Sequence, residues 1–321
     1  KMPAISSTAP GKLILFGEHA VVYGRPAIAI PFTGVHVKVI IVAMPLAPSG
    51  LVRVEAPAIK MDTTLAELAT DNPLALTAQG VMDKIGIDHL PAMHIRISGT
   101  IPIAAGMGSS AAVSIALARA LSTFLGHPLA NAEVNAIAYQ VEEAIHGTPS
   151  GVDNTVIAYA KPVYFRRGQP LEFLRVNRPF ELIIADSGIA SATRPMVAGV
   201  KERYLADPDA CTQIFDRIAS IVEKARISIE AGLPDDLGAL MIENHQLLKE
   251  MGVSIPELDI LVEAALKAGA AGAKLTGAGG GGNIIAIAPR EKFPLIENAL
   301  LAVGARQVWS TRVQPEPELA A

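Results

Sequence analysis

The sequence predicts an α+β protein in which helices pack on one face of a sheet. Three observations favour this fold class. The chain has 321 residues, of which 50% are hydrophobic, so it can bury the core of one large or two ordinary domains. The first half mixes strand and helix patterns. The second half runs in the order strand, several helices, strand pair, helix, strand.

In the first half, strands are predicted where β-branched residues cluster, and helices where apolar residues recur every three or four positions. Val134, Ala138 and Val141 show such helical spacing. The strands are 35–43 and 94–97, and the helices are 73–85, 111–125 and 131–145. The segments 162–165 and 171–176 flank Gly168 and predict a hairpin.

The second half opens after the Pro-containing connection near Arg178 with a short apolar strand at 181–185. Long helical patterns follow at 194–205, 210–231, 235–251 and 256–268. Two further strands are predicted at 273–276 and 283–288, joined by a glycine-rich turn. A helix at 291–303 and a strand at 307–313 complete the pattern.

Charge and composition argue against several classes of protein. The net charge of −4, without clusters of Lys or Arg, disfavours nucleic acid as a partner. Mean hydropathy is high, at +0.37, but proline, glycine and serine interrupt the uncharged stretch 97–118, so we expect no membrane span. The single Cys211 excludes an internal disulfide and a cysteine-based zinc site, and we expect a cytoplasmic location.

The turn 106–110, with the sequence GMGSS, leads directly into a run of helix-forming residues. The first backbone N–H groups of a helix lack intrahelical partners and carry partial positive charge, so the turn is a candidate anion site. A buried, well-capped helix is the alternative. The lysine of a P-loop is missing here, and Lys12 is a candidate for supplying the positive charge.

A second candidate segment is 9–24, with the sequence APGKLILFGEHAVVYG. Lys12 begins a short predicted apolar strand, and Glu18 and His19 follow the turn at Gly17. A lysine, a glutamate and a histidine beside glycines suit a polar ligand. The alternative is a surface turn with solvated charges.

Two carboxylates stand out in the segment 142–154. At 100° per residue, Glu142 lies about 80° from the centre of the apolar stripe of its helix, whereas Glu143 lies about 180° away. A carboxylate at the edge of the buried face needs a partner, and Mg²⁺ would serve. Asp153 follows beyond a Gly/Pro-rich turn, where a capping role is the alternative. One carboxylate for metal and one as base favour phosphoryl transfer.

The last candidate segment, 274–283, contains the pattern G-x-G-x-x-G at Gly277, Gly279 and Gly282. A dinucleotide-binding fingerprint requires a helix after these glycines, but 283–288 has the pattern of a strand. We therefore reject the dinucleotide interpretation. A glycine loop between strands still suits close backbone contact with a ligand or with another domain.

These four segments, in this order and spacing, resemble the GHMP kinases, and the resemblance covers nearly the whole chain. It implies a two-domain α+β fold with a ribosomal-protein-like N-terminal domain (1–178), a ferredoxin-like C-terminal domain (179–321) and an active site in the cleft between them. Segments 10–24 and 145–154, and Thr193 with its neighbours Ala192 and Arg194, resemble the members that phosphorylate mevalonate. ATP as co-substrate, Mg²⁺ and a possible homodimer are also implied.

The resemblance assigns a role to individual residues. Ser110 and Glu142 would hold Mg²⁺, Asp153 would accept the proton of the substrate hydroxyl, and Lys12 would steady the developing charge. The residues facing mevalonate would be Glu18, His19 and Thr193. The ATP phosphates would be wrapped by Ala105, Gly106, Met107, Gly108, Ser109 and Ser110, with Gly277, Gly279 and Gly280 on the phosphate side of the cleft. Ala104 replaces the usual glycine, so we expect the loop to differ at its start.

Two alternatives to a kinase that makes 5-phosphomevalonate stay open at this point. Another GHMP kinase, such as a phosphomevalonate kinase, would need extra basic residues for its phosphorylated substrate, and no such cluster is evident. A non-catalytic ligand sensor on the same fold would have no need of Glu142 together with Asp153.

Overall fold

The structure is a computed structural model that describes residues 4–102, 105–147, 149–191 and 193–315. Its strands are β1 (Ala4–Phe16), β2 (Ala27–Ala43), β3 (Val52–Ala56), β4 (Met61–Thr64), β5 (Met93–Gly99), β6 (Val163–Phe165), β7 (Glu172–Phe173), β8 (Phe180–Asp186), β9 (Gly272–Thr276), β10 (Asn283–Ile287) and β11 (Gln307–Val313).

The helices are α1 (Pro73–Ile85), α2 (Ser109–Phe124), α3 (Asn131–His146), α4 (Val152–Tyr159), α5 (Thr193–Ala206), α6 (Pro208–Ala231), α7 (Leu237–Glu250), α8 (Pro256–Lys267) and α9 (Phe293–Ala302). Within the described ranges, none of these helices combines the length and apolar character that a bilayer crossing requires.

The chain folds into two units that interleave along the sequence. The described residues of the first unit come from Lys1–Gly11, Val35–Ile101 and Gly108–Ala160, and those of the second from Lys12–Gly34, Pro102–Met107 and Lys161–Ala321. Strands β1 and β2 each contribute to both units. The domain boundary predicted between 178 and 179 stays a prediction, because the two units follow packing rather than chain order.

The described residues of the first unit form a mixed sheet and four helices. Residues 37–43 of β2 pair antiparallel with β5, β5 pairs parallel with β3, and β3 pairs antiparallel with β4. Along residues 35–41 of β2 every second side chain is buried, including Val39 and Ile41, so one face of this part of the strand packs into the core. Helix α2 packs on α1, α3 and α4, and its many alanines allow close approach. This packing fixes the positions of the helix ends that carry the candidate site.

The second unit contains an antiparallel sheet in the order β11-β8-β10-β9. Strands β9 and β10 are buried on both faces, whereas β11 is half-exposed at one edge. Strand β9 forms the other edge, and α7 packs against it. Two glycines permit this contact, because a Cβ on Gly272 would lie 2.2 Å from the carbonyl oxygen of Gly238.

The α+β prediction is confirmed, and the predicted helix 73–85 and strand 307–313 have the same bounds in the structure. The hairpin around Gly168 is also confirmed, as β6 and β7. The strand predicted to begin at Lys12 is present, but its predicted start was wrong, since β1 begins at Ala4 and has 13 residues. Strands β3 and β4 were missed because they are short and mostly polar outside Val52 and Val54. Helix α4 was missed because glycine and proline precede it.

The contact between α7 and β9 gives a stability prediction. In Gly238→Ala the new Cβ would lie 2.4 Å from the carbonyl oxygen of Ala271, so we expect a loss of about 1–3 kcal/mol in the free energy of unfolding. Gly199→Ala is the matched control, since Gly199 also lies in a helix but has open space around it. There we expect a gain of about 0.5–1 kcal/mol. Urea denaturation measures both, and equal effects would contradict the packing argument.

Candidate functional site

The GMGSS turn ends at the start of α2 in the first unit. Gly108 is the N-cap residue, in the left-handed region at φ 75°, and Ser109 and Ser110 are the first two helical residues. The serines therefore do not occupy the capping position, which weakens the alternative of a merely well-capped helix. Among the described residues, the buried Oγ of Ser110 has no hydrogen-bond partner. An oxygen of this kind is available to a ligand.

Helix α3 carries Glu142 on its buried side and Glu143 on its exposed side. The prediction from helical phasing is thereby confirmed. Glu142 Oε2 lies 3.6 Å from Nε2 of His146, one turn further along the helix. Because α2, α3 and α4 pack on one another, the structure groups the elements that carry Ser110, Glu142 and Asp153 within the first unit.

Asp153 lies in the first turn of α4, two residues after the N-cap residue Gly151. The capping alternative for Asp153 is therefore wrong, because the aspartate is inside the helix. The helix start is held by buried neighbours, and Nδ2 of Asn154 donates to Oδ1 of Asn135 at 2.7 Å. The positive end of the helix dipole stabilises a carboxylate at this position. A half-buried aspartate on a fixed helix start has the accessibility that a base needs.

The second unit buries the charged residues of the segment 9–24. Lys12 lies inside β1 and is 4% exposed, and its backbone N–H donates to the carbonyl oxygen of Met107 at 3.1 Å. Glu18 and His19 are buried too. The alternative of a surface turn with solvated charges is therefore wrong. Burying three ionisable side chains together is costly unless they are paired, so each of them requires an explanation.

Glu18 forms a buried ion pair with Lys274 on β9. The Lys274 Nζ donates to Glu18 Oε1, and it also donates to the carbonyl oxygen of Leu275 at 2.7 Å. Neither side chain of the pair is exposed. Burial raises the pKa of Glu18, and the attraction of Lys274 and then of Lys12 opposes that rise. Burial likewise lowers the pKa of Lys274 against the attraction of Glu18.

His19 adopts a backbone conformation that is rare for a residue with a side chain, at φ 60°. Its Nε2 lies 2.8 Å from the carbonyl oxygen of Ala278. Since a carbonyl can only accept, Nε2 carries the proton and Nδ1 keeps its lone pair. Burial lowers the pKa of His19, which favours this neutral form. The strained turn is therefore held in place through its own side chain.

The glycine loop 277–282 joins β9 to β10 as an antiparallel hairpin. This topology confirms the rejection of a dinucleotide fingerprint, because a strand and not a helix follows the glycines. Gly279 and Gly282 have positive φ angles. A Cβ on Gly279 would lie 2.0 Å from the carbonyl oxygen of Val253, and one on Gly282 would lie 2.9 Å from that of Ala105. Only glycine allows these backbone approaches.

The remaining predicted residues lie near this loop in the second unit. The Nδ2 of Asn283 donates to the carbonyl oxygen of Ala105 at 2.5 Å, and a Cβ on Gly277 would approach the carbonyl oxygen of Gly106. Thr193 is exposed at the start of α5. A Cβ on Gly280 would lie 2.9 Å from the side chain of Met196, further along α5. The predictions that involve Ala104, Thr148 and Ala192 lie outside the described residues.

The sequence reasoning missed Lys274 and His245 as members of this arrangement. The Nδ1 of His245 on α7 accepts a hydrogen bond from the N–H of Leu275 at 3.3 Å, and its Nε2 lies 3.1 Å from Oδ1 of Asp259. It thereby supplies an acceptor to the edge strand β9. The sequence signal for Lys274 was a charge inside an apolar strand, which must have a buried partner. No sequence pattern singled out His245.

The fit of the first unit to Mg²⁺ can be judged from its oxygen atoms. Within the described ranges, no group of three or more His, Cys, Asp and Glu side chains is placed to hold a metal ion. The predicted ligands are only two, Ser110 and Glu142, and they lie on helices that pack together. A hydroxyl and a carboxylate suit Mg²⁺, which takes few protein ligands and completes its shell with phosphate and water oxygens. The residues present fit such an ion.

Comparison with known proteins settles the family. The model of the GHMP kinases N terminal domain matches residues 73–161, and the model of the GHMP kinases C terminal domain matches residues 225–306. A mevalonate kinase of Pyrococcus horikoshii is 34% identical, over 97% of this chain and 96% of its own length. The chain belongs to the GHMP kinase family. The two-domain α+β fold predicted from the resemblance is thereby confirmed.

Other relatives of this GHMP kinase support the same family assignment. A mevalonate kinase of Methanothermobacter thermautotrophicus is 37% identical over 88% of this chain and 90% of its own. Among solved structures, L. major mevalonate kinase in complex with R-mevalonate has a TM-score of 0.82 and 30% identity, covering 97% of this chain and 96% of that one. A phosphomevalonate kinase of Streptococcus pneumoniae has a TM-score of 0.81 but only 17% identity, so it shows the fold alone.

The His245 side chain behind β9 gives a pH prediction. Burial lowers its pKa from 6.5 to about 4. Between these values the unfolded chain binds a proton that the folded protein does not. Stability is therefore fully present above pH 6.5 and falls as the pH decreases towards 4, by about 1.4 kcal/mol per pH unit for this one group.

The measurement is the free energy of unfolding in urea between pH 6.5 and 4.5. We expect His245→Gln to reduce the slope against pH by the contribution of one proton. His89→Gln, which alters an exposed histidine, is the control and should keep the slope of the unmodified protein. An unchanged slope in His245→Gln would show that His245 titrates normally.

Proposed function

We propose that this protein transfers the γ-phosphoryl group of ATP to the primary hydroxyl of mevalonate and forms 5-phosphomevalonate. The observation that carries the proposal is the similarity over nearly the full length of the chain to proteins named mevalonate kinases, at 34% identity for that of Pyrococcus horikoshii. Two carboxylates of the first unit, Glu142 on α3 and Asp153 on α4, supply the chemical support, because a kinase needs a metal ligand and a base.

The start of α2 provides the phosphate site in this proposal. Backbone N–H groups of the first helical turn and the helix dipole attract phosphate oxygens. The positive φ angles of Gly106 and Gly108 let the backbone follow the phosphates closely. Ser110 and Glu142 would hold Mg²⁺, which would neutralise charge on the transferred phosphate when bound. Met107 contributes through its backbone, since its side chain is buried.

Asp153 is the base in the proposed mechanism. It accepts the proton of the acceptor hydroxyl as the oxygen attacks the γ-phosphorus, from its position in the first turn of α4. We assign to Lys12 the stabilisation of the charge that develops on that oxygen. The residues that orient mevalonate are Glu18, His19 and Thr193. The residues that line the site near the ATP phosphates are Gly277, Gly279 and Gly280.

The two other functions have less support. The phosphomevalonate kinase of Streptococcus pneumoniae shares the fold at 17% identity. A ligand sensor would not need Glu142 on the buried side of α3 together with Asp153 at the start of α4. The cytoplasmic location and the possible homodimer stay predictions from the sequence.

An ADP-release assay with Mg²⁺-ATP tests the proposal directly. Mevalonate, phosphomevalonate, homoserine and galactose are offered separately as acceptors. We expect turnover with mevalonate and at most a background rate with the other three. Preference for phosphomevalonate would show that the protein is a phosphomevalonate kinase. ATP-independent mevalonate binding without ADP release would favour the ligand sensor.

The role of Asp153 predicts a large kinetic effect. Asp153→Asn should leave ATP affinity nearly unchanged and lower kcat about 10²–10⁴-fold, since an amide cannot take the proton. The control is Asp209→Asn, which removes an exposed acid from the first turn of another helix, α6. It reports any effect of losing a charge at a helix start, and we expect it to retain normal turnover. Near-normal kcat in Asp153→Asn would contradict the assignment of the base.

The two faces of α3 predict different responses to magnesium. Glu142→Gln should raise the Mg²⁺ concentration required for half-maximal rate about tenfold or more, because an amide is a weaker ligand than a carboxylate. Glu143→Gln changes the next residue of the helix, which lies on the exposed face, and should leave that concentration unchanged. A Mg²⁺ titration of the rate at saturating ATP measures both, and equal shifts would contradict the predicted ligand.

A further inference from the structure

The β9–β10 hairpin holds the end of β1 and the turn after it at three alternate residues within the second unit. Lys274 binds the carboxylate of Glu18, and the carbonyl of Ala278 accepts from His19. Between them, Thr276 Oγ1 accepts the N–H of Ile14 at 3.0 Å and donates to its carbonyl oxygen at 2.9 Å. These contacts thus join every second residue of the hairpin segment to residues about 260 positions earlier in the chain.

Of these three contacts, the one made by Lys274 is an ion pair. Its ammonium reaches Glu18 Oε1 and the Leu275 carbonyl, and its side chain has no exposed area. The second oxygen, Glu18 Oε2, is buried and has no hydrogen-bond partner among the described residues. The ionised carboxylate therefore depends on Lys274 for its hydrogen bond to a charged donor.

We propose that Lys274 is a positioning residue for the acceptor alcohol. It holds Glu18 in place and ionised, and through Glu18 it fixes the strained turn that carries His19. The proposal rests on the proposed function, because Glu18 and His19 are the residues assigned to mevalonate. Lys274 itself need not touch the substrate.

The charges around Glu18 predict what happens when Lys274 is lost. Lys274 faces the carboxylate from β9, Lys12 acts on it from β1, and His19 beside it is favoured in its neutral form. Without Lys274 only the backbone hydrogen bond of Glu18 and the weaker attraction of Lys12 oppose the effect of desolvation on the pKa of Glu18. The pKa of Glu18 then rises further, and the carboxyl group takes up a proton at lower pH.

The test compares Lys274→Met with the double variant Glu18→Gln/Lys274→Met. In Lys274→Met we expect the KM for mevalonate to rise about tenfold or more, because a buried pair has lost one partner. The KM for ATP should stay within about twofold, and kcat/KM for mevalonate should increase with pH as Glu18 ionises. In the double variant, which has no ionisable pair, that pH dependence should disappear and the Tm should recover towards that of the unmodified protein.

Lys267→Met is the control for removing a lysine, since Lys267 is exposed on α8, and it should behave like the unmodified protein. Equal rises in both KM values, or a pH profile in Lys274→Met that matches the double variant, would overturn the positioning role. If Lys274→Met does not fold, a double variant with a recovered Tm still supports the pairing, and one that also fails to fold overturns it. Absence of turnover with mevalonate in the unmodified protein would instead overturn the proposed function, and this role with it.

Discussion

A buried lysine–glutamate pair joins two segments of the second unit that are 256 residues apart in sequence. Removing one partner of such a pair typically costs about 3–5 kcal/mol, because the other charge is then left without compensation in a poorly solvated place. Two apolar residues of similar volume would often be as stable. A buried pair that two apolar residues could replace is not explained by stability alone, and the position of Glu18 next to His19 fits the positioning role proposed for Lys274.

The surrounding structure keeps this pair in place. Lys274 lies on an edge strand, and α7 covers that edge through the close approach of Gly238 to β9 and through the acceptor nitrogen of His245. The glycine loop that follows β9 can approach neighbouring backbone only because it lacks side chains. The first unit follows another principle, since its candidate residues lie at helix starts and on a buried helical face. There the helix dipole and the position of each residue around the helix axis determine where a charged side chain is tolerated.

The sequence predicted those parts of the structure that depend on local patterns. Helical phasing separated Glu142 from Glu143, and the strand pattern after Gly282 excluded a dinucleotide site. Long-range pairing was not predictable in this way. The extent of β1 depends on partners far along the chain, and α4 follows glycine and proline residues that argue locally against a helix. Lys274 was visible as a charge in an apolar strand, but the sequence could not name Glu18 as its partner.

The most direct measurement of the central interaction is NMR of protein in which the lysine Nζ atoms carry ¹⁵N. The resonance of Lys274 is identified by its loss in Lys274→Met. We predict a charged ammonium that exchanges slowly with water at neutral pH and whose signal changes in Glu18→Gln. A neutral amine, or a rapidly exchanging ammonium with the same signal in the presence and absence of the Glu18 carboxylate, would contradict the account.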